Sequence, residues 1–190
     1  MASARDVAMY LLSKGTPQGL CLQKLLYYSQ AWALVWNEQP LFPDKIRAWD
    51  LGPVVGDLWH DAKSGRLGGD PARLTDVERA TVDAVFDYYG HRPAEWLSEL
   101  THRERPWADV YVREVRPCRI ITHEAMRQYY GAVPKEEVHR VPDAYRRGAE
   151  LLMSLTPEEL AEFGDDRALP VATTDVEHWL RGQGPDPWPL

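Results

Sequence analysis

The segment from Leu22 to Trp36 constrains the fold more than any other part of the chain. Leu22, Leu25, Leu26, Ser29, Trp32, Ala33 and Trp36 recur at helical spacing, and from Ala31 to Trp36 the chain is apolar all round. A helix without a polar face has to be covered on every side, so this spacing predicts a central core helix. Trp32, Leu25 and Leu26 are expected core residues, and so is Trp49 further on. Lys24 is a lone charge in the helix, and an ionised amine beside a packed apolar face calls for a partner; a carboxylate is the expected one.

Around that helix the punctuation of the sequence predicts a set of shorter ones. Ser3 to Asp6 can form a reciprocal cap for a helix carrying Val7 and Leu11 and ending at Gly15. Ile46 to Leu51 reads as extended, Gly52-Pro53 as a turn, and Val55, Leu58, Trp59 and Ala62 as the stripe of a helix ending at Gly65. Arg66 to Pro71 reads as a loop. Thr75 with Glu78 caps a helix running to Gly90, Pro93 and Pro106 each open a further helix, and Thr122 caps one holding Met126 and Tyr129. Cys118 to Ile121 is a candidate brief strand. The fold expected is mainly α, a compact multi-helix domain with at most a small β element, followed by a helical C-terminal extension.

Two regions follow from charge. Residues 1–131 hold 16 basic and 17 acidic side chains, whereas 132–190 hold 6 and 12, so the extension carries −6 of the net −7. Three weaker helical patterns lie there, the last containing Trp179. A negative balance disfavours nucleic-acid binding, which needs basic side chains against phosphate. No apolar stretch approaches the roughly 20 residues that a bilayer crossing requires, and no leader pattern is evident, so a soluble cytoplasmic protein without membrane attachment is expected. Cys21 and Cys118 sit among apolar neighbours, as buried reduced thiols do.

The chain contains neither a phosphate-binding glycine loop nor a nucleophile elbow or HExxH motif, so no cofactor and no metal are expected. His102 and Glu104, with His60, leave open a composite metal or acid–base site. Against it, Thr101 and His102 can simply satisfy backbone groups at a helix junction. Eight tryptophans and nine tyrosines are many for 190 residues. The pairs Tyr27-Tyr28, Tyr88-Tyr89 and Tyr129-Tyr130 point about 100° apart on a helix, so one of each is expected in the core and one at the rim.

Three blocks in order carry a family resemblance. Leu22-Gln23-Lys24-Leu25-Leu26-Tyr27-Tyr28-Ser29-Gln30-Ala31-Trp32 resembles the LQKLLYYAQGW signature of the Panacea, or SocA-like, antitoxin domain. Pro40-Leu41-Phe42, then Ala48-Trp49-Asp50-Leu51-Gly52-Pro53-Val54-Val55 and Leu58-Trp59-His60, is similar to the family's PLF…AWxxGPVV segment and its LYH, with Trp59 at the tyrosine position. Leu97 to Trp107, including Thr101, His102 and Glu104, is similar to LSxLTHxExPW. The resemblance implies a mainly helical domain over 1–131 that neutralises a cognate toxin encoded beside it by direct protein binding, or delivers it to a protease. Tyr28, Gly52, Pro53, His102, Trp107 and, in the extension, Trp179 are the expected partner-binding residues; the remaining motif residues are expected to be structural. Residues 132–190 have no counterpart in the minimal domain and are expected to bear on partner choice. A metal-dependent enzyme and a transcriptional regulator are the alternatives from other classes, the second lacking a basic recognition helix.

Overall fold

The computed structural model describes residues 1–113, 115 and 118–133. They form seven helices and one small sheet, with the first compact unit spanning Met1–Ala132. The fold is mainly α with a small β element. The expected helices of the extension, and Trp179 with them, lie outside the described residues.

Helix α2, Leu20–Trp36, is the axis of the unit, and every residue from Leu20 to Leu34 is buried. It is packed by α1 (Ala4–Ser13), α4 (Asp76–Tyr89), α5 (Ala94–Arg103), α7 (His123–Ala132) and strand β2 (Gly52–Val55). Encirclement explains why an all-apolar helix is stable here. It also buries both members of the first tyrosine pair: Tyr27 and Tyr28 are each 0% exposed, so the expected rim position for one of them is not found. In the other pairs Tyr89 and Tyr130 are buried while Tyr88 and Tyr129 are half-buried, as helix geometry demands. Trp36, at the last turn of α2, is 42% exposed although it stacks on Trp32.

The short helices begin where the caps are written. Ser3 and Asp6 close a capping box on α1, and Thr75 and Glu78 close one on α4. Each supplies backbone N–H groups of the first turn with a partner that the helix itself cannot provide. Thr122 does the same for α7, its Oγ1 accepting from the Ala125 N–H at 3.1 Å. Helices α3 (Gly56–Lys63) and α6 (Arg105–Ala108) complete the set.

The sheet has the order β2-β1-β3, all antiparallel, with β1 at Ile46–Trp49 and β3 at Ile120–Ile121. Trp49 pairs with Gly52, so Asp50-Leu51 is a two-residue hairpin connection. Gly52-Pro53 thus belongs to a strand, and Val55 caps α3 from outside it; the expected turn followed by a helix through Val55 is corrected. Pro53 lacks an N–H, and β2 tolerates it because it is an edge strand.

Two polar side chains fasten the loops. Gln30, buried on α2, accepts at Oε1 from the N–H groups of Leu41 (2.9 Å) and Phe42 (3.1 Å), and its Nε2 donates to the Phe42 carbonyl at 2.9 Å. The same amide nitrogen lies 2.8 Å from Nε2 of His123, which must therefore accept and carry its proton on Nδ1. Asp6 accepts from the Asp70 N–H at 2.8 Å, and Gly69 sits so close to α1 that a Cβ there would meet the Arg5 carbonyl oxygen at 2.5 Å.

Candidate functional site at the hairpin tip

The three motif blocks, far apart in sequence, meet around the β1–β2 hairpin. From α2, the Gln23 Oε1 accepts from the Val55 N–H at 2.8 Å, and Lys24 Nζ donates to the Pro53 carbonyl at 3.2 Å. From α5, the Ser98 hydroxyl donates to the Leu51 carbonyl at 2.9 Å. From α6, the Trp107 indole donates to the Trp49 carbonyl at 3.0 Å, and just beyond it the Tyr111 hydroxyl donates to Asp50 Oδ1 at 3.0 Å. The first and third blocks thus supply side-chain groups to the hairpin that the second block forms.

Gly52 is the pivot of this arrangement. Its φ of +101° lies where side chains are strained, and a Cβ there would stand 2.6 Å from Lys24 Nζ and 2.7 Å from Thr101 Oγ1. The lysine stem and the threonine occupy the space that a side chain would need. Lys24 is 0% exposed, and its partner is a carbonyl; no carboxylate pairs with it among the described residues, which corrects the expected ion pair. Burial pushes its pKa well below the ordinary lysine range.

His102 and Glu104 sit at the α5–α6 junction but face different surroundings. His102 is half-buried with its ring stacked on Trp107 at 4.1 Å between centroids, and Trp107 stacks in turn on Tyr111 at 4.3 Å. Burial, and then the nearby Lys24, lower the His102 pKa to about 4. Glu104 points inward, where the Tyr130 hydroxyl lies 2.6 Å and the Tyr28 hydroxyl 3.2 Å from its Oε2. Burial raises its pKa to about 8 against the opposing effect of those two hydrogen bonds. His60 is exposed on α3, its ring 6.2 Å from that of Trp49. The composite metal site is not assembled: Glu104 is committed to tyrosines, and no three His, Cys, Asp or Glu side chains converge among the described residues. Cys21 is buried and its thiol is pushed up to about 11, away from thiolate chemistry.

Of the residues expected at a partner surface, Tyr28, Gly52, Pro53 and Trp107 are all buried or nearly so, and His102 is half-buried. Gly52 and Pro53 belong to the buried strand behind the tip, Trp107 holds the Trp49 carbonyl, and Tyr28 turns to Glu104 instead. Trp49, expected in the core, is half-buried instead, edge-on to the buried Trp59 at 6.3 Å. Tyr111 and Ser98 do not stand out in the sequence. A weak signal exists for Tyr111, one helical turn after Trp107 and therefore on the same side; Ser98 gives none, because its role depends on the hairpin that β2 completes.

Residues 22–108 match the family model described as antitoxin SocA-like, Panacea domain. Over these residues the chain is similar to a Panacea domain. No curated protein and no solved structure matches the chain. The matched range runs from α2 to α6, so it contains all three sides of the hairpin-tip site. Helices α1 and α7 flank the Panacea match yet pack on α2. Among the described residues no helix is long and apolar enough to cross a membrane.

Proposed function

We propose that this chain is an antitoxin that neutralises a toxin encoded beside its own gene by binding it directly, without chemistry of its own. The observation that carries this reading is the Panacea match over residues 22–108, whose three sequence blocks converge on one hairpin. In and beside that knot the titratable groups are spent on structure: Lys24 on a carbonyl, His102 on a ring stack and, next to it, Glu104 on tyrosines. A binding module needs a rigid frame beneath a partly exposed rim, because pre-ordered side chains lose little entropy on association. Trp49, His102 and Tyr111 form that rim, and the buried Gly52, Pro53 and Trp107 hold it. Residues 132–190, with 12 acidic side chains to 6 basic, add selectivity for a basic toxin surface through the association rate.

Co-expression with the neighbouring gene product tests the function. Growth is expected to be arrested by that product alone and restored by this chain; an innocuous neighbour, or one still toxic in the presence of this chain, refutes the reading. For the surface, the Trp49→Ala, His102→Ala double variant is expected to keep its fold, shown by an unchanged far-ultraviolet spectrum, while losing at least tenfold in affinity. A folded variant that still protects fully moves the toxin surface elsewhere.

A further inference from the structure

The most heavily invested buried group of the unit takes no part in the hairpin knot. Glu104 is 6% exposed at the α5–α6 junction, and the polar groups around it are almost all phenols. Tyr28 and Tyr130 both approach the same oxygen, Oε2, at 3.2 and 2.6 Å. The Tyr130 hydroxyl is also 3.1 Å from that of Tyr27. Each phenol owns one proton, so the consistent arrangement has Tyr28 and Tyr130 donating to Oε2 and Tyr27 donating to Tyr130. The cage widens through the Tyr28–Tyr89 stack at 4.0 Å and the Trp32 indole, 3.4 Å from the Tyr89 hydroxyl.

Every element around the carboxyl presents a neutral group. Helix α2 offers Tyr27 and Tyr28, α4 offers Tyr89, and α7 offers Tyr129 and Tyr130. Lys24, one turn before Tyr28, is turned to the Pro53 carbonyl. Neither the flanking Arg103 nor Arg105 contributes to the state of the carboxyl; Arg105 pairs with Asp109 and Arg103 with Glu99 on the outer face. A carboxylate without a cation in such a place bears the full cost of desolvation, whereas a neutral acid leaves Oε2 as a carbonyl oxygen that takes both phenol bonds.

We propose that Glu104 works as a neutral carboxylic acid, a proton-held latch that ties helix α7 to α2 and to the corner carrying His102 and Trp107, and that losing this proton loosens α7. The latch makes the compact unit responsive to alkalinity irrespective of what it binds. Its linkage has one sign: the folded chain holds the proton to about pH 8 while an exposed glutamate releases it near 4.5, so stability is complete below 4.5 and drains away as pH rises toward 8.

The experiment uses the full chain without any partner. Carbon-13 labelled glutamate places the Glu104 carboxyl resonance, assigned by its disappearance in Glu104→Gln, and its midpoint is followed by nuclear magnetic resonance. A midpoint near 8 is expected, together with faster amide exchange in α7 above it. In Glu104→Gln, which keeps a carbonyl oxygen for the phenols, the fall in melting temperature between pH 5 and 8 is expected to flatten. Tyr130→Phe removes a phenol bond that favours the ionised carboxyl, so it should move the Glu104 midpoint, and with it the fall in α7 protection, to higher pH than in the unsubstituted chain. A carboxyl that titrates below 5.5, or a Glu104→Gln variant whose pH profile follows that of the unsubstituted chain, overturns the proposal. Should Glu104→Gln fail to fold, the resonance is assigned from the labelled unsubstituted chain through its couplings to neighbouring protons, and the midpoint alone decides.

Discussion

At the scale of single residues, side chains that look alike in sequence do opposite work. Gly52 is expected to tolerate nothing larger: Gly52→Ala forces a left-handed alanine against Lys24 and Thr101, and a loss of about 2–4 kcal/mol in urea unfolding is expected. Gly65, also at positive φ but with nothing within 4 Å of where a Cβ would stand, should lose only about 1 kcal/mol as alanine. His102 gives a pH prediction of its own. Its folded pKa of about 4 is below the 6.5 of a free imidazole, so the native state binds fewer protons and stability, complete above 6.5, is lost as pH falls toward 4. Allowing for partial exposure, the loss is about 2 kcal/mol, read as the difference between the acid limbs of the unsubstituted chain and His102→Gln. Much of this was not legible in the sequence. Lys24 stands out as a lone charge, but whether its partner is a carboxylate or a carbonyl depends on where the hairpin delivers Pro53, and no local pattern encodes that.

Elements were legible where their ends carry their own chemistry. The Ser3–Asp6 and Thr75–Glu78 boxes mark α1 and α4 because cap and acceptor are three residues apart, within reach of local reading. Strand β2 is hidden for the converse reason: Gly52-Pro53 has the local chemistry of a turn, and only its place at a sheet edge makes a strand of it. The ends of α2 teach a related lesson. Periodicity puts Trp32 and Trp36 on one stripe, but the cover over that stripe thins at the last turn, leaving Trp32 at 2% and Trp36 at 42% exposure. Trp32→Ala is therefore expected to cost about 3–5 kcal/mol and Trp36→Ala about 1 kcal/mol, measured by chemical denaturation under one set of conditions. Gln30→Leu should cost about 2–4 kcal/mol, because it leaves the Leu41 and Phe42 N–H groups buried without acceptors.

For the whole molecule, charge asymmetry divides the chain nearly where the compact unit ends, at Ala132. A chain stopped after Ala132 is expected to fold, judged by cooperative melting, and to associate with a basic toxin more slowly and with weaker salt dependence than the full chain. The candidate site was legible as three blocks of letters, while their meeting at one hairpin was not, since tertiary convergence of segments some 30 and 80 residues apart leaves no periodic trace. The loop seated on α1 has a consequence for handling the protein. Glycine-rich loops ordinarily offer a protease a pliable stretch to thread into its cleft, but here Gly69 and Asp70 are held against Arg5 and Asp6, and Pro71–Arg73 is coiled into a 3₁₀ turn. Trypsin should therefore cut after the exposed Arg66 well before Arg73. Because Asp6 accepts from the Asp70 N–H and α2 packs on α4 across the cut, the two fragments would separate on a denaturing gel yet travel together through a sizing column.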